Sequence, residues 1–171
     1  VDIGNLLREV GNSFEYELQT RNIALKIESG MPSLFVEPNR LRQVFQNLID
    51  NAIKYMDRPS DGRIEVSYSR EEGYHRFTVS DNGPGISPDQ HPRIFQVFRR
   101  AENSATMRTE GKGVGLAVVK SVMSNYGGQA WVESQPGRGA KFFVTLEVNN
   151  VKSPTENREV AYERVSSDIA G

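Results

Sequence analysis

Leu41-Arg42-Gln43-Val44-Phe45-Gln46-Asn47-Leu48-Ile49-Asp50-Asn51-Ala52-Ile53-Lys54-Tyr55 is the stretch that decides how this chain folds. Leu41, Val44, Phe45, Leu48, Ile49, Ala52 and Ile53 recur at helical spacing, one apolar stripe that needs a core to cover it. The spacing predicts an amphipathic helix from about Asn39 to Met56. The opposite face carries Gln43, Asn47, Asn51 and Lys54. Asparagine costs several tenths of a kcal/mol against alanine in a helix interior. Two of them a turn apart suggest a use: their amide oxygens point the same way and suit a hard cation, with Lys54 near for an anion. A plain solvated face explains the helix equally well.

Bulk properties set the frame. The 171 residues suffice for one ordinary domain with a real core. With 21 basic and 22 acidic residues the net charge is -1, which argues for neither a nucleic-acid nor a membrane surface. The absence of cysteine excludes disulfides and thiolate metal sites, and fits a cytoplasmic, reducing setting. No apolar run approaches the roughly 18 residues of a membrane span. The chain begins at Val1, without a signal-like segment, and reads as a piece of something longer.

Before the central helix, residues 2–20 read as one helix with Ile3, Leu6, Leu7, Val10 and Phe14 inward and Asp2 as its N-cap. Residues 22–28 alternate as a half-buried strand, and Leu34 to Val36 read as a short one. After the central helix come a loop at 57–62, alternating strands through Ile64-Val66-Tyr68 and His75-Phe77-Val79, and a hairpin turn at Glu71-Glu72-Gly73 between them. A helix follows Gly115 and stops at Gly127-Gly128. Two last strands, 129–133 and 140–148, are joined through Pro136-Gly137-Arg138-Gly139. The expected architecture is an α/β two-layer sandwich over residues 1–148: a mixed, mostly antiparallel sheet of about five strands packed on about three helices. Residues 149–171 read as a polar tail or linker.

Two glycine clusters remain. Asp81-Asn82-Gly83-Pro84-Gly85-Ile86 follows a strand end, where a carboxylate can accept a hydrogen bond from an amino group such as that of adenine. Gly83 and Gly85 would let backbone approach a flat ligand, although Asp-Asn-Gly alone is also a common turn. Gly111-Lys112-Gly113-Val114-Gly115-Leu116 leads into a helix, so its backbone N–H groups and the helix N-terminus favour an anion. It matches neither the P-loop nor the dinucleotide fingerprint, and alone reads as a flexible loop. Between the clusters runs a long irregular stretch with Phe95, Phe98, Arg99 and Arg100.

Taken in order, these parts resemble the catalytic, ATP-binding domain of sensor histidine kinases, in the wider family with gyrase, Hsp90 and MutL. Asn47 to Tyr55 resembles the N box, Asp81 to Ile86 the G1 box, Phe95 to Phe98 the F box, and Gly111 to Leu116 the G2 box. The resemblance implies a Bergerat-type fold and two cofactors, ATP and Mg²⁺. It implies Asn51 as metal ligand, Asn47 assisting, and Lys54 reaching the phosphates. Tyr55 would lie by ribose and base, Asp81 would read the adenine amino group, and Gly83, Gly85 and Ile86 would line the base. Residues 87–110 would form a lid anchored by Phe95 and Phe98, with Arg100 approaching the γ-phosphate. Gly111, Lys112, Gly113, Val114, Gly115 and Leu116 would cradle the phosphates.

The gyrase, Hsp90 and MutL branch carries Glu where this chain has Asn47. An amide takes up no proton at neutral pH, so hydrolysis lacks its base, whereas transfer to an imidazole needs mainly positioning and charge stabilisation. Asn47, Lys54 and Arg100 are then the catalytic set. Lys112 and Ala140-Lys141 depart from the family's usual hydroxyl residues. His75 sits in a strand and His91 beside Pro92, and neither reads as a phosphoacceptor. The resemblance therefore implies two partners: an upstream dimerisation domain bearing the acceptor histidine, and a response regulator receiver domain. Two other readings share these boxes, a nucleotide-docking module without turnover and a serine kinase of the anti-sigma-factor type.

Overall fold

The computed structural model describes residues 1–96 and 115–150. Its helices are α1 (Ile3–Ser13), α2 (Glu15–Thr20), α3 (Pro38–Tyr55) and α4 (Gly115–Asn125). Its strands are β1 (Ile23–Ile27), β2 (Gly62–Glu71), β3 (Tyr74–Asp81), β4 (Ala130–Ser134) and β5 (Ala140–Glu147). The five strands form one sheet in the order β1-β2-β3-β5-β4. Only β1 and β2 run parallel, and α3 is the crossover between them. The other three pairings are antiparallel.

Pro38 at the first turn has no N–H to satisfy, and the Glu37 carboxylate caps the next two amides, Asn39 N at 3.0 Å and Arg40 N at 2.8 Å. From there the apolar stripe turns inward: Leu41, Val44, Phe45, Leu48, Ile49, Ala52 and Ile53 are all buried. They meet the inward side of the sheet, Ile64, Val66, Phe77, Val79, Phe142, Val144 and Leu146, in one core that also takes Ile3, Leu7 and Val10 from α1 and Val119 and Met123 from α4. Phe45 packs edge-on against Phe77 with ring centroids 5.5 Å apart. This burial fixes the rotation of α3, so its amide face points away from the core.

Two expectations need correction. The helix expected over residues 2–20 is two helices, broken at Phe14, whose N–H turns back to Gly11 O. Gly11, in the last turn of α1, lies close on β1, a Cβ there standing 3.0 Å from Leu25, and after the break α2 buries Leu18 in the same core. Leu34 to Val36 is not a strand. The neighbouring Ser33 makes a single bridge to Asp2, and no further ladder forms; Leu34 N–H instead bonds Val1 O. Asp2 caps α1 as expected, accepting from Asn5 N at 2.9 Å.

The C-terminal end of α3 is held from outside. Arg21, in the turn after α2, donates through Nη1 to Ile53 O and through Nη2 to Met56 O at 2.6 Å. A cation on the last carbonyls of a helix satisfies orphan acceptors and complements the helix dipole. Arg21→Ala should therefore destabilise the fold by about 1–2 kcal/mol, read as a lower urea midpoint at unchanged slope. An unmoved midpoint would show that the guanidinium does nothing for α3.

Candidate functional site

The polar face of α3 runs Asn47, Asp50, Asn51, Lys54, Tyr55, and Gly83 of the first glycine cluster and Gly115, the last glycine of the second, come to it. Asn47 and Asn51 are half-buried. At the first of these, α4 begins: a Cβ on Gly115 would stand 3.1 Å from Asn47 Oδ1. The first described turn of α4, with the positive end of its dipole, thus lies against the Asn47 carboxamide. At the other end, a Cβ on Gly83 would lie 3.6 Å from Tyr55 O and 3.8 Å from Met56 Cα. Asn47 and Tyr55 are about 12 Å apart along the helix at 1.5 Å per residue. One helix therefore spans from Gly115, at the start of α4 beside Asn47, to Gly83 and the Asp81 carboxylate beside Tyr55.

Asp81 closes β3, paired with Ile64 on one side and Ala140 on the other. Its Oδ1 accepts from Gly83 N at 2.9 Å, which makes the turn at Asn82. Burial pushes the Asp81 carboxyl above the ordinary carboxylate range; bonds from the Gly83 and Ala140 amides oppose the rise, and the Asp57 charge adds to it. A half-buried acceptor of this kind suits a neutral hydrogen-bond donor.

Gly85 has a structural requirement of its own. Its φ is +76°, and a Cβ there would come within 2.2 Å of Gln135 O, in the β4–β5 connection. Gly139 has φ +78°, and a Cβ there would come within 1.9 Å of Asp81 O. Backbone thus lies on backbone at Asp81 and again four residues on, both times against the β4–β5 connection. Ile86 is half-buried against the core; its N–H donates to Ser134 Oγ at 2.8 Å, and its carbonyl accepts from His91 Nε2 at 3.1 Å. Phe95 packs on Phe142 with centroids 6.2 Å apart, so the first aromatic of the expected lid is anchored on the sheet. Leu116 packs partly buried on the core from α4.

Lys54 is engaged. Its Nζ lies 2.6 Å from Asp50 Oδ2, one turn back, in a pair with side chains about a third exposed. Tyr55 is half exposed. Phe98, Arg100, Gly111, Lys112, Gly113 and Val114 lie outside the described residues. Asn47, Asn51, Lys54, Tyr55, Asp81, Gly83, Gly115 and Leu116 are brought to one side of the molecule along α3. His75 is buried in β3, its Nδ1 2.9 Å from Tyr68 Oη and its Nε2 2.6 Å from Arg70 Nη1, in keeping with the structural role expected of it.

Sequence reasoning passed over Asp50, Asn82, Ser134 and Gly139. The acid four residues before Lys54 was a readable signal. Ser134 and Gly139 act through contacts distant in the chain, which no local pattern carries.

The carboxamide oxygens of Asn47 and Asn51 on α3 are neutral oxygen donors, a kind of ligand that suits a hard cation.

Residues 36–150 match the family model described as "Histidine kinase-, DNA gyrase B-, and HSP90-like ATPase". The chain belongs to this family. The domain is 38% identical over 144 residues to the methanogenesis regulatory histidine kinase FilI of Methanothrix harundinacea (strain 6Ac), covering 84% of this chain and 16% of FilI. It is 36% identical over 152 residues to the adaptive-response sensory kinase SasA of Prochlorococcus marinus (strain MIT 9303), covering 86% of this chain and 40% of SasA. Full-length ShkA, crystallised with AMPPNP, superposes with a TM-score of 0.70 at 32% identity, over 85% of this chain and 30% of that one. The nucleotide-free catalytic domain of the histidine kinase ThkA superposes with a TM-score of 0.71 over 86% of this chain and 94% of that one; at 24% identity it speaks for the fold. This ATPase-family domain is thus like the catalytic, ATP-binding domain of histidine kinases, and it spans less than half the length of FilI or SasA. No helix among the described residues is long and apolar enough to cross a membrane.

Proposed function

We propose that this domain binds Mg-ATP and transfers the γ-phosphoryl group to a histidine on a separate dimerisation and phosphoacceptor domain, in two-component signalling with a response regulator. The observation that carries the reading is the double contact of α3: Gly115 of α4 on Asn47, and Gly83 on Tyr55 and Met56, with Asp81 beside it. The relatives named above as histidine kinases support the phosphotransfer, and a ThkA structure in complex with the response regulator TrrA supports the partner class. A cytoplasmic setting goes with this assignment.

Each residue has a stated task. Asp81 accepts from the adenine amino group. Asn51 ligates the metal, and Asn47 holds its amide one turn earlier, against the start of α4. Lys54 reaches the phosphates from its place beside Asp50, and an ammonium has three donors to divide between them. The N-terminus of α4 and the glycines before it receive phosphate oxygens, and Arg100 approaches the γ-phosphate. Mg²⁺ supplies charge neutralisation across the phosphates when bound. Nothing here requires a general base at Asn47, because the acceptor imidazole is itself a nucleophile. Positioning and charge stabilisation carry the rate. Incubation of labelled ATP with the domain and a histidine-bearing dimerisation segment should yield an acid-labile phosphoramidate; its absence would leave nucleotide binding without turnover.

Asp81 gives a sharper test of the base end. Its raised pKa means the folded protein holds this proton to higher pH than the unfolded chain. Its contribution therefore lowers stability as pH rises from the ordinary carboxylate range to the raised value. A bound adenine amino group favours the ionised form, so ATP affinity should fall as pH drops through that raised value. Asp81→Asn should remove this acid limb and cost about tenfold or more in ATP preference over GTP, without loss of thermal stability at neutral pH. If ATP and GTP compete equally well in parent and variant, Asp81 does not read the base.

A further inference from the structure

Asn82 lies inside the first glycine cluster, and neither the fold nor the proposed chemistry has given it a task. All four of its hydrogen-bonding groups are used. Its N–H donates to Arg63 O at 3.2 Å, and its Oδ1 accepts from Arg63 N at 2.7 Å. Its Nδ2 donates to Asp61 O at 2.8 Å, and its own carbonyl accepts from Arg58 Nε at 2.6 Å. Arg58 Nη1 in turn faces Asp61 Oδ2 at 3.3 Å.

The register explains why an asparagine stands here. The β2–β3 ladder ends at the pair Ile64 and Asp81. The next pair would be Arg63 and Asn82. Arg63 N–H would bond a main-chain carbonyl in a continuing strand; here it bonds the side-chain carbonyl of Asn82. The amide thus stands in for the main chain in the last rung. The real carbonyl is free to turn to Arg58, and the chain leaves the sheet through Gly83, Pro84 and Gly85 across the end of α3.

The loop that Asn82 grips is itself fixed on its far side. Asn22, whose φ is +52°, donates through Nδ2 to Pro59 O at 3.2 Å, next to the Arg21 grip on Ile53 and Met56. Three connections, 21–22, 56–61 and 82–83, are clasped in series. Asp81 sits at the end of that series, with its carbonyl under Gly139 and its carboxylate on Gly83 N.

We infer that Asn82 is a positioning residue for base recognition: by closing the β2–β3 ladder with its side chain it fixes where the Asp81 carboxylate stands. This rests on the ATP-binding reading above. The consequence is selective. The phosphate end of the site, at Asn47 and Gly115, lies two turns of α3 away, so loss of the clasp affects the choice of base and not the grip on a triphosphate.

The test measures ATP and GTP affinities by calorimetry with Mg²⁺ present, for the parent domain, Asn82→Ala, Asn82→Asp and Arg58→Ala. Asn82→Ala should lower the ATP-to-GTP affinity ratio by about tenfold, with GTP affinity changed less than about twofold. Asn82→Asp keeps the acceptor for Arg63 N, sets a second oxygen against Asp61 O, and should fall between. Arg58→Ala removes the bond to the Asn82 carbonyl and the pair with Asp61 at the outer side of the clasp, and should lower the ratio by about two- to threefold; it decides the matter if Asn82→Ala fails to fold. An unchanged ratio in a folded Asn82→Ala, or in Arg58→Ala when that variant decides, overturns the inference while the ATP reading stands. A uniform loss of both nucleotides also overturns it, because a merely structural role predicts that. A parent that binds neither nucleotide defeats the underlying reading instead.

Discussion

Asn51→Ala should abolish Mg²⁺-dependent ATP binding while the fold survives. The side chain stands on the face of α3 that points away from the core, half-buried and one turn from Asn47. Alanine at such a position improves helix propensity by several tenths of a kcal/mol and opens no core cavity. What it removes is the carboxamide oxygen proposed above as the metal ligand. Loss of groups that merely orient a metal ligand costs about 10- to 100-fold, so loss of the ligand itself should cost at least about a hundredfold in affinity measured with Mg²⁺. Calorimetry with and without EDTA separates the metal-dependent part, and circular dichroism reports the fold. If the variant binds Mg-ATP as the parent does, the metal ligand lies elsewhere.

Gly139→Ala should have the largest effect on stability. Two costs combine at this residue. Its φ of +78° is a left-handed conformation that alanine adopts with strain, and a Cβ there would come within 1.9 Å of the Asp81 carbonyl. Neither the β5 start nor the β3 end can move aside, since Asp81 and Ala140 are ladder partners. We expect a loss of about 3–5 kcal/mol, a value reserved for core disruption and strained backbone. Gly137 supplies the control. Its φ is +79°, yet a Cβ there meets nothing within 4 Å. Gly137→Ala carries the strain alone and should cost only about 1 kcal/mol. Equal denaturation midpoints for the two variants would show that the close approach of the two chains is not what requires glycine at 139.

The central helix was legible in the sequence because its information is local. Every residue of the stripe from Leu41 to Ile53 is buried, and the helix ends within a residue of the expected limits. The alternating strands and the hairpin at 71–73 were legible for the same reason. Where the reading failed, the deciding partner lay far along the chain. Residues 2–20 keep a helical stripe through Leu18, and the break at Phe14, beside the close approach of Gly11 to Leu25, leaves no mark in that periodicity. Leu34 to Val36 has strand composition, but its pairing with Val1-Asp2 stops after one bridge, because the chain enters α1 at Ile3.

The candidate site divides in the same way. That Asn47 and Asn51 share one face of α3, and that Asp81 ends a strand before glycines, could be read from local pattern. The Asn82 clasp was invisible, since its partners Asp61 and Arg63 lie about twenty positions upstream across a turn and a strand. Glycine pattern alone gave Gly85 a ligand-facing reason; Gln135 O supplies a packing one that no local signal could show.

The parallel pairing of β1 with β2 has a consequence for the chain as a whole. Because α3 bridges those two strands, everything from Asn47 to Tyr55 belongs to the segment before the Glu72-Gly73 turn, whereas Asp81, the later glycines and α4 all come after it. Severing the backbone at that exposed tip would place the amides on one fragment and the carboxylate on the other. The two pieces would be halves of a split sensor, each lacking what the other carries, and nucleotide would be the ligand that rewards their reunion.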